Sequence, residues 1–365
     1  MNMQDLMKIL APKYWLVLLW QILLFTGLSS STLAATAVTP MKMLVAADFH
    51  KSGLRGFNLG RQQSPLLGEG DYQSLAATRA NLVRILLPLT KKCKQCTTYE
   101  IVPTELAYAD QVVTMGEKYG FHVVVTLTPQ PAGDSALYWK NALMRKSIQD
   151  TWLLVATRYR GRVGVAGYDL INEPVPQGTS NPQNAWRDYS SSLIGAIRQA
   201  DPEHVIVVEP IDWGHATGMV GWQPLPFSNL VYSFHFYDPY ELTHQGVYKN
   251  RAVIAYPNAD WNKKRLFEMM EPVRSFAARY QVPILVGEFS IVRWAPGSSA
   301  QNYLRDLIDL FELEDWPWLY HSYREFPGWD AEMLGSAPRN PADRASLRRS
   351  DAPTMQLLQG YMNKN

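Results

Sequence analysis

The feature that most constrains this chain is an alternation. Short apolar runs recur along it, each followed by a longer segment with helical periodicity. Strands are predicted over 54–59, 82–86, 121–127, 165–171, 204–208, 230–236, 283–289 and 318–322. Helices are predicted over 72–80, 105–119, 141–159, 184–200, 263–280, 301–310 and 354–362, with Gly120 stopping the second and Asp201-Pro202 the fourth. Strands apolar on both faces are buried on both, and helices between them make the sheet parallel. Eight such units predict a closed (β/α)8 barrel, the TIM barrel, rather than a doubly wound open sheet. With 47% apolar residues the chain can fill such a core. No Pro-, Ser- or Gly-rich linker divides residues 38–365, so one domain is expected there. The connections 214–229, 237–261 and 325–349 are expected to face a substrate.

The first 37 residues read differently. Lys8 and Lys13 precede an apolar run over 14–28, a small polar stretch, and Ala35-Thr36-Ala37. Positive flank, short apolar run and A-x-A exit predict a secretory signal peptide over 1–37. The run is shorter than the about 20 residues of a membrane span, and Gln21 interrupts it. An uncleaved N-terminal anchor is the alternative, and the only expected tie to a membrane. The protein is expected to be secreted or periplasmic, and a monomer. In an exported protein the Cys93-Lys94-Gln95-Cys96 pair is read as a short-loop disulfide.

Net charge is +2, from 35 basic and 33 acidic residues. That balance argues against a nucleic-acid partner and suits a neutral substrate. The 12 Trp and 19 Tyr add flat faces that pack cores and also stack on sugar rings. The seven His lack metal-ligand spacing, so no metal and no cofactor are expected.

Reactive groups of a β/α barrel sit at the C-terminal strand ends. Here the fourth strand closes on Asn172-Glu173-Pro174, the sixth on His235-Phe236-Tyr237 and the seventh on Gly287-Glu288-Phe289. Each motif alone is weak, since Asn-Glu-Pro also fits a plain turn. Their joint occurrence, in this order, sets two carboxylates across one barrel mouth. Hydrolysis of a glycosidic bond with retention needs such a pair, one protonated and one ionised, about 5–5.5 Å apart. Low-dielectric surroundings and the second acid's charge keep the first protonated. His235 and Tyr237 could tune which acid holds the proton, and Asn172 could donate to the sugar 2-hydroxyl.

At these residues the chain resembles glycoside hydrolase family 5, the cellulase family of retaining (β/α)8 hydrolases. The resemblance spans about residues 54–330 and includes Arg55-Gly56-Phe57-Asn58 on the first strand and Arg84 on the second. It implies Glu173 as general acid/base and Glu288 as nucleophile. Asn58, Arg84, Asn172, His235 and Tyr237 would support them. The implied substrate is a polysaccharide or oligosaccharide, with a β-1,4-glucan first. A mannan, a β-1,3-glucan, a glycolipid or a nascent exopolysaccharide are alternatives within the fold. An inactive carbohydrate-binding barrel is the alternative of another class. Two departures stand out. Thr128 or Gln130 occupies the third-strand position where the family commonly has His. His321 stands where it commonly presents a Trp platform, with Trp318 or Trp329 as substitutes. Trp213, after the fifth strand, is a further sugar-contact candidate, whereas Trp139, Trp222 and Trp261 are read as loop packing.

Overall fold

Along most of the barrel, each strand buries both of its faces, and that decides how the chain is layered. A computed structural model describes residues 41–364 except 51–52, 61–66, 92, 94, 130–134 and 341–342. The predicted leader, 1–37, lies outside the described residues, as does Gln130. Eight parallel strands form the barrel: β1 Arg55–Leu59, β2 Leu82–Lys91, β3 His122–Pro129, β4 Val165–Asp169, β5 Val205–Val208, β6 Leu230–Phe236, β7 Ile284–Phe289 and β8 Trp318–Tyr323. β1 pairs with both β2 and β8, which closes the sheet. Around it lie α1 Glu69–Ala77, α2 Pro103–Tyr119, α3 Ser135–Lys140, α4 Ala142–Tyr159, α5 Pro182–Ala200, α6 Tyr240–Thr243, α7 Lys263–Met269, α8 Glu271–Tyr280, α9 Ser299–Leu313 and α10 Pro353–Met362. No described helix is long and apolar enough to cross a membrane.

The predicted strands and helices all have counterparts, but the first helix lies at Glu69–Ala77 rather than 72–80, the short helices α3 and α6 were not predicted, and three further segments differ locally. The helix expected over 263–280 breaks at Met270, because Pro272 lacks an N–H and instead opens α8 near its N-terminus. β2 runs on to Lys91 and pairs antiparallel with Tyr99–Glu100, and a Cys93–Cys96 bridge lies in the connecting loop. β4 stops at Asp169, before the chain turns through Glu173 at φ 52°.

Two apolar layers hold the barrel. The outer one joins alternate strand residues such as Val83, Ile85, Val123 and Ile206 to the helices. The inner one fills the barrel's lower interior with Leu82, Val124, Val205, Val207, Val231, Leu285 and Leu319, joined by Leu44 and Phe49 from the N-terminal segment. One or two strand positions higher the same interior row turns polar, with Asn58, Arg84, Thr126, Asp169 and Ser233, all fully buried. Buried tryptophans fix the strand ends: Trp152 of α4 donates to the Leu170 carbonyl (2.8 Å) and Trp186 of α5 to the Glu209 carbonyl (2.7 Å). Each such bond is worth about 1 kcal/mol net, and it sets where the acid-bearing segments leave the barrel.

The seam between β1 and β2 requires a glycine. Gly56 lies in register with Leu82, and a Cβ there would sit 1.7 Å from the Leu82 carbonyl oxygen. Because the obstacle is backbone, the seam must open to admit a methyl. Gly56→Ala is expected to lower stability by at least the upper end of the ~1–3 kcal/mol typical of overpacking. Urea unfolding checks this: the midpoint should drop with the slope unchanged, and an unchanged midpoint would refute the tight seam.

Candidate active site

Interior positions at the upper strand ends converge on one guanidinium. Arg84 of β2 is fully buried. Its Nε donates to Asp169 (2.8 Å), Nη1 to Asn58 (3.1 Å) and Glu288 (2.7 Å), and Nη2 to Asn172 (2.9 Å) and Glu209 (2.7 Å). A guanidinium has five N–H donors, and every one has a partner here. Asn58 is thereby structural, since its amide also donates to the Gly287 carbonyl (2.8 Å).

Glu288 reaches this network through a bulge. β6 and β7 pair Phe234 with Val286, then His235 with Glu288, skipping Gly287. The skipped residue turns Glu288 into the interior beside His235. Gly287 must be small there, since a Cβ would meet Ser233 Oγ at 2.5 Å and His235 Nε2 at 3.0 Å. Glu288 accepts from Arg84 on Oε1 and from the Tyr237 hydroxyl on Oε2 (2.8 Å). Glu173, its side chain 28% exposed on the opposite wall, accepts from His235 Nδ1 (3.0 Å). Its own N–H donates to Glu209 (2.8 Å). His235 Nε2 lies 3.4 Å from Glu209, so the imidazole spans two acids.

The two glutamates are pushed in opposite directions. Burial would raise Glu288, but the positive charges of His235, His321 and Arg84, with the Tyr237 hydroxyl, hold it well below the usual carboxylate range. Burial raises Glu173, and the charge of Glu288 adds to that against the His235 hydrogen bond. Burial would lower His235, yet Glu209, Glu288 and Glu173 hold its proton on firmly. The site therefore pairs a proton-holding carboxyl with an ionised one. One oxygen of each lies within 4.8 Å of the other, with a His235 nitrogen equally close.

The cleft above this floor is about 700 Å³, with Trp213, His215, Tyr240, His244, Tyr248, His321 and Trp329 in its walls. His215, Tyr240, His244, Tyr248 and Trp329 come from the three connections expected to face a substrate, whereas Trp213 precedes the first of them and His321 lies on β8. Trp213 is 57% exposed. Trp318 is not in the cleft: it is fully buried on the outer face of β8, bonded to Glu312 of α9 (2.8 Å). Trp329 stands in the wall instead, 5.5 Å from His321 ring to ring. Trp139 and Trp222 are buried in packing, against Trp186 and Phe276 respectively, and Trp261 packs against the core edge. Sequence reasoning missed Asp169, Glu209 and Glu325. An acid ending an otherwise apolar strand was the available sign for the first two.

The family description "Cellulase (glycosyl hydrolase family 5)" matches residues 45–326. Endoglucanase 3 of Fibrobacter succinogenes is 22% identical over 309 residues, covering 72% of this chain and 47% of that protein, so the chain spans about half its length. Cellodextrinase A of Ruminococcus flavefaciens is 23% identical, covering 71% of this chain and 82% of that one. A structure of Thermotoga maritima Cel5A with a cellobiose substrate, in mutant form, superposes with a TM-score of 0.73 at 18% identity, covering 87% of this chain and all of that one.

Asp169 gives the network a pH signature. Burial and the neighbouring Glu209 charge raise its pKa against Arg84. An acid raised in the fold stays protonated there while the unfolded chain ionises, so its contribution is complete below about 4 and is lost as pH climbs through the raised value. Asp169→Asn keeps the shape and removes the titration. The stability of Asp169→Asn relative to the native protein is expected to rise steadily from pH 4 into the alkaline range. A pH-independent difference in urea midpoints would show that Asp169 is ionised in the fold.

Proposed function

We propose that this chain, which belongs to glycosyl hydrolase family 5, the cellulase family, cleaves the β-1,4 linkages of a glucan with net retention. Glu288 is the nucleophile in this reading and Glu173 the general acid/base. The carrying observation is the spacing: one carboxyl oxygen of each acid lies within 4.8 Å of the other, which suits the roughly 5–5.5 Å of retaining pairs better than the about 6.5–9.5 Å by which inverting pairs admit a water.

In the first step Glu288 attacks the anomeric carbon while Glu173 gives its proton to the leaving oxygen. The glycosidic bond breaks and a glycosyl ester of Glu288 forms. Glu173, now a carboxylate, takes a proton from the incoming water as that water attacks the same carbon, and Glu288 leaves as a carboxylate. Arg84 and Tyr237 hold both Glu288 oxygens, which keeps the nucleophile ionised and aimed. His235 holds one Glu173 oxygen and leaves the other to carry the proton. Asn172 accepts from Arg84 through Oδ1, which frees its amide group to donate to the sugar 2-hydroxyl. Trp213, Tyr240 and Tyr248 offer exposed ring faces in the cleft, which suits a neutral glycan chain. Export by the N-terminal segment and action as a monomer complete the proposal; Lys8, Lys13 and Ala35-Thr36-Ala37 support the export.

The test is product release from carboxymethyl-cellulose, mixed-linkage β-glucan, mannan, xylan and β-1,3-glucan, with the first product's anomer read by NMR. Cleavage of the β-1,4-glucans with β-anomer products first is expected. Cleavage of mannan or β-1,3-glucan alone would reassign the substrate, and α-anomers first would overturn retention.

Glu288→Ala is expected to abolish turnover with the fold intact, since only the nucleophile is lost; near-native rates would sink its assignment. Glu173→Ala is expected to slow natural glycans by about 10²–10⁴, to spare activated aryl glycosides, and to regain rate with azide. Equal losses on both substrate types would contradict the acid/base role. Because Glu173 must be protonated and its pKa is raised, the native rate should fall as pH rises through that value. That alkaline limb should vanish in Glu173→Ala acting on an activated aryl glycoside.

A further inference from the structure

Arg293 is a buried charge that the reaction above does not use. It lies in the segment after β7 and is 6% exposed. Its Nε donates to the Pro327 carbonyl (2.8 Å). Nη1 donates to the carbonyls of Leu334 (2.6 Å), Ala337 (2.8 Å) and, more weakly, Gly335 (3.3 Å), and Nη2 to that of Pro338 (2.5 Å). Its backbone N–H donates to the Gly328 carbonyl (2.9 Å). Among the described residues no carboxylate comes within ion-pair distance of it. Asp330, the acid whose charge it feels, is bonded to Arg348 instead (2.8 Å).

A guanidinium keeps its charge at any ordinary pH, so carbonyl dipoles take the place of water around this one. The same bonds order the carbonyls. All of these acceptors lie within residues 327–338, a stretch of turns and bends with a bridge from Met333 to Arg348. Such a stretch has no strand partner to match its polar backbone, and buried carbonyls need donors. Arg293 supplies them at both ends, Pro327 and Gly328 at one and Leu334 to Pro338 at the other. Trp329 lies between, partly exposed in the cleft wall. Its carbonyl accepts from the Tyr320 hydroxyl (2.9 Å) and the Ser322 N–H (3.3 Å), which fixes where it sits against β8. Arg293 holds the two carbonyls before it, which fixes the direction from which the chain arrives. Together the two ties aim the Cα–Cβ bond, and with it the indole. The indole N–H has only a marginal contact, 3.5 Å to the Thr243 carbonyl. Apart from its edge contacts with the rings of His244 and Phe326, the indole therefore depends on the backbone for its aim.

We propose that Arg293 is a positioning residue: it holds residues 327–338 so that the Trp329 ring stands in the cleft wall, and it acts on a bound sugar only through that ring. This rests on the hydrolase reading above for the presence of a sugar beside Trp329. None of the hydrogen bonds to Glu173 or Glu288 involves Arg293. Its loss leaves acid and nucleophile in place and frees the wall. A wall that contacts ground state and transition state alike adds to binding and not to the chemical step, so KM bears the change and kcat does not.

The test uses cellopentaose with Arg293→Gly, Trp329→Ala and the double variant, each with and without added guanidinium ion at a concentration too low to unfold the protein. Arg293→Gly is expected to raise KM about 10-fold and to change kcat less than about threefold. Guanidinium ion should refill the nest and return KM toward the native value, whereas sodium ion at equal ionic strength should not. Arg293→Gly should add nothing to the KM of Trp329→Ala, because both remove the same contact. Additive KM losses, or a fall in kcat with KM unchanged, would overturn the inference. A readout independent of turnover is the fluorine spectrum of protein carrying 5-fluorotryptophan, with the Trp329 signal identified by its absence in Trp329→Phe. That signal is expected to move in Arg293→Gly and to return with guanidinium ion. Arg293→Lys keeps the charge but cannot span both ends of the loop; it should move the signal part of the way, and it covers the case of a glycine variant that does not fold. A Trp329 signal unmoved in both Arg293 variants overturns the inference whatever the activity. Failure of the hydrolase reading itself would appear separately, as no Glu288-dependent turnover of cellopentaose.

Discussion

The site depends on one buried cation. Arg84 spends all five N–H donors on side chains from β1, β4, the segment after β4, the end of β5 and β7. These partners lie 26 to 204 residues away in sequence. Taking ions out of water is expensive, and their attraction compensates only when geometry and hydrogen bonding are complete. Here every Arg84 donor is matched, which lets Asp169, Glu209 and Glu288 share a dry interior although Asp169 Oδ1 has no hydrogen-bond partner among the described residues. The rest follows from height in the barrel. Below Arg84 the interior row is apolar and holds the strands together; above it the row is polar and opens to the cleft.

Two identical side chains acquire opposite roles from their surroundings alone. Glu288 has Arg84 on one oxygen and Tyr237 on the other, so its charge is solvated by the protein. Glu173 has His235 on one oxygen and the open cleft on the other side. His235 ties the two together. Its charge is sustained by Glu209 and Glu288, and through it the ionised nucleophile and the protonated acid are set by one network rather than by independent local effects. A pair of titratable groups driven apart in this way is the condition for acid and nucleophile to coexist at one pH.

Most of the barrel was legible because burial on both faces leaves a plain mark, the unbroken apolar run. The helix break at Met270 was missed, although Pro272 stood inside the span predicted as one helix. The Trp318 assignment failed on parity. Leu319 belongs to the inner layer, so Trp318, one residue earlier, faces the helices, and His321, two later, faces in. The bulge at Gly287 was not legible, because strict alternation from Leu285 turns Glu288 outward, and only pairing with β6 reveals the skipped residue. Asp169 and Glu209 were missed, although each is an acid that closes an apolar strand. That local sign marks them as candidates, but their partner Arg84 lies across the barrel and 85 and 125 residues away in sequence.

The same acid also ties the cleft's rim to its floor. Asp212, Trp213 and Gly214 follow one another in the left-handed region, at φ 61°, 59° and 68°. For an aromatic residue this conformation is a genuine outlier, held only where the surroundings over-determine it. Glu209 supplies that constraint. A Cβ on Gly214 would come within 2.8 Å of Glu209 Oε2, so the loop closes down directly on the carboxylate that Arg84 holds. The Gly214 carbonyl accepts the His235 backbone N–H (2.8 Å), and the Glu209 carbonyl is held by Trp186. The turn that presents Trp213 to the cleft is thus built against the network that sets the charges of Glu173 and Glu288. A change in that turn cannot alter sugar contact alone, because the residues that shape it are in contact with those that fix the chemistry.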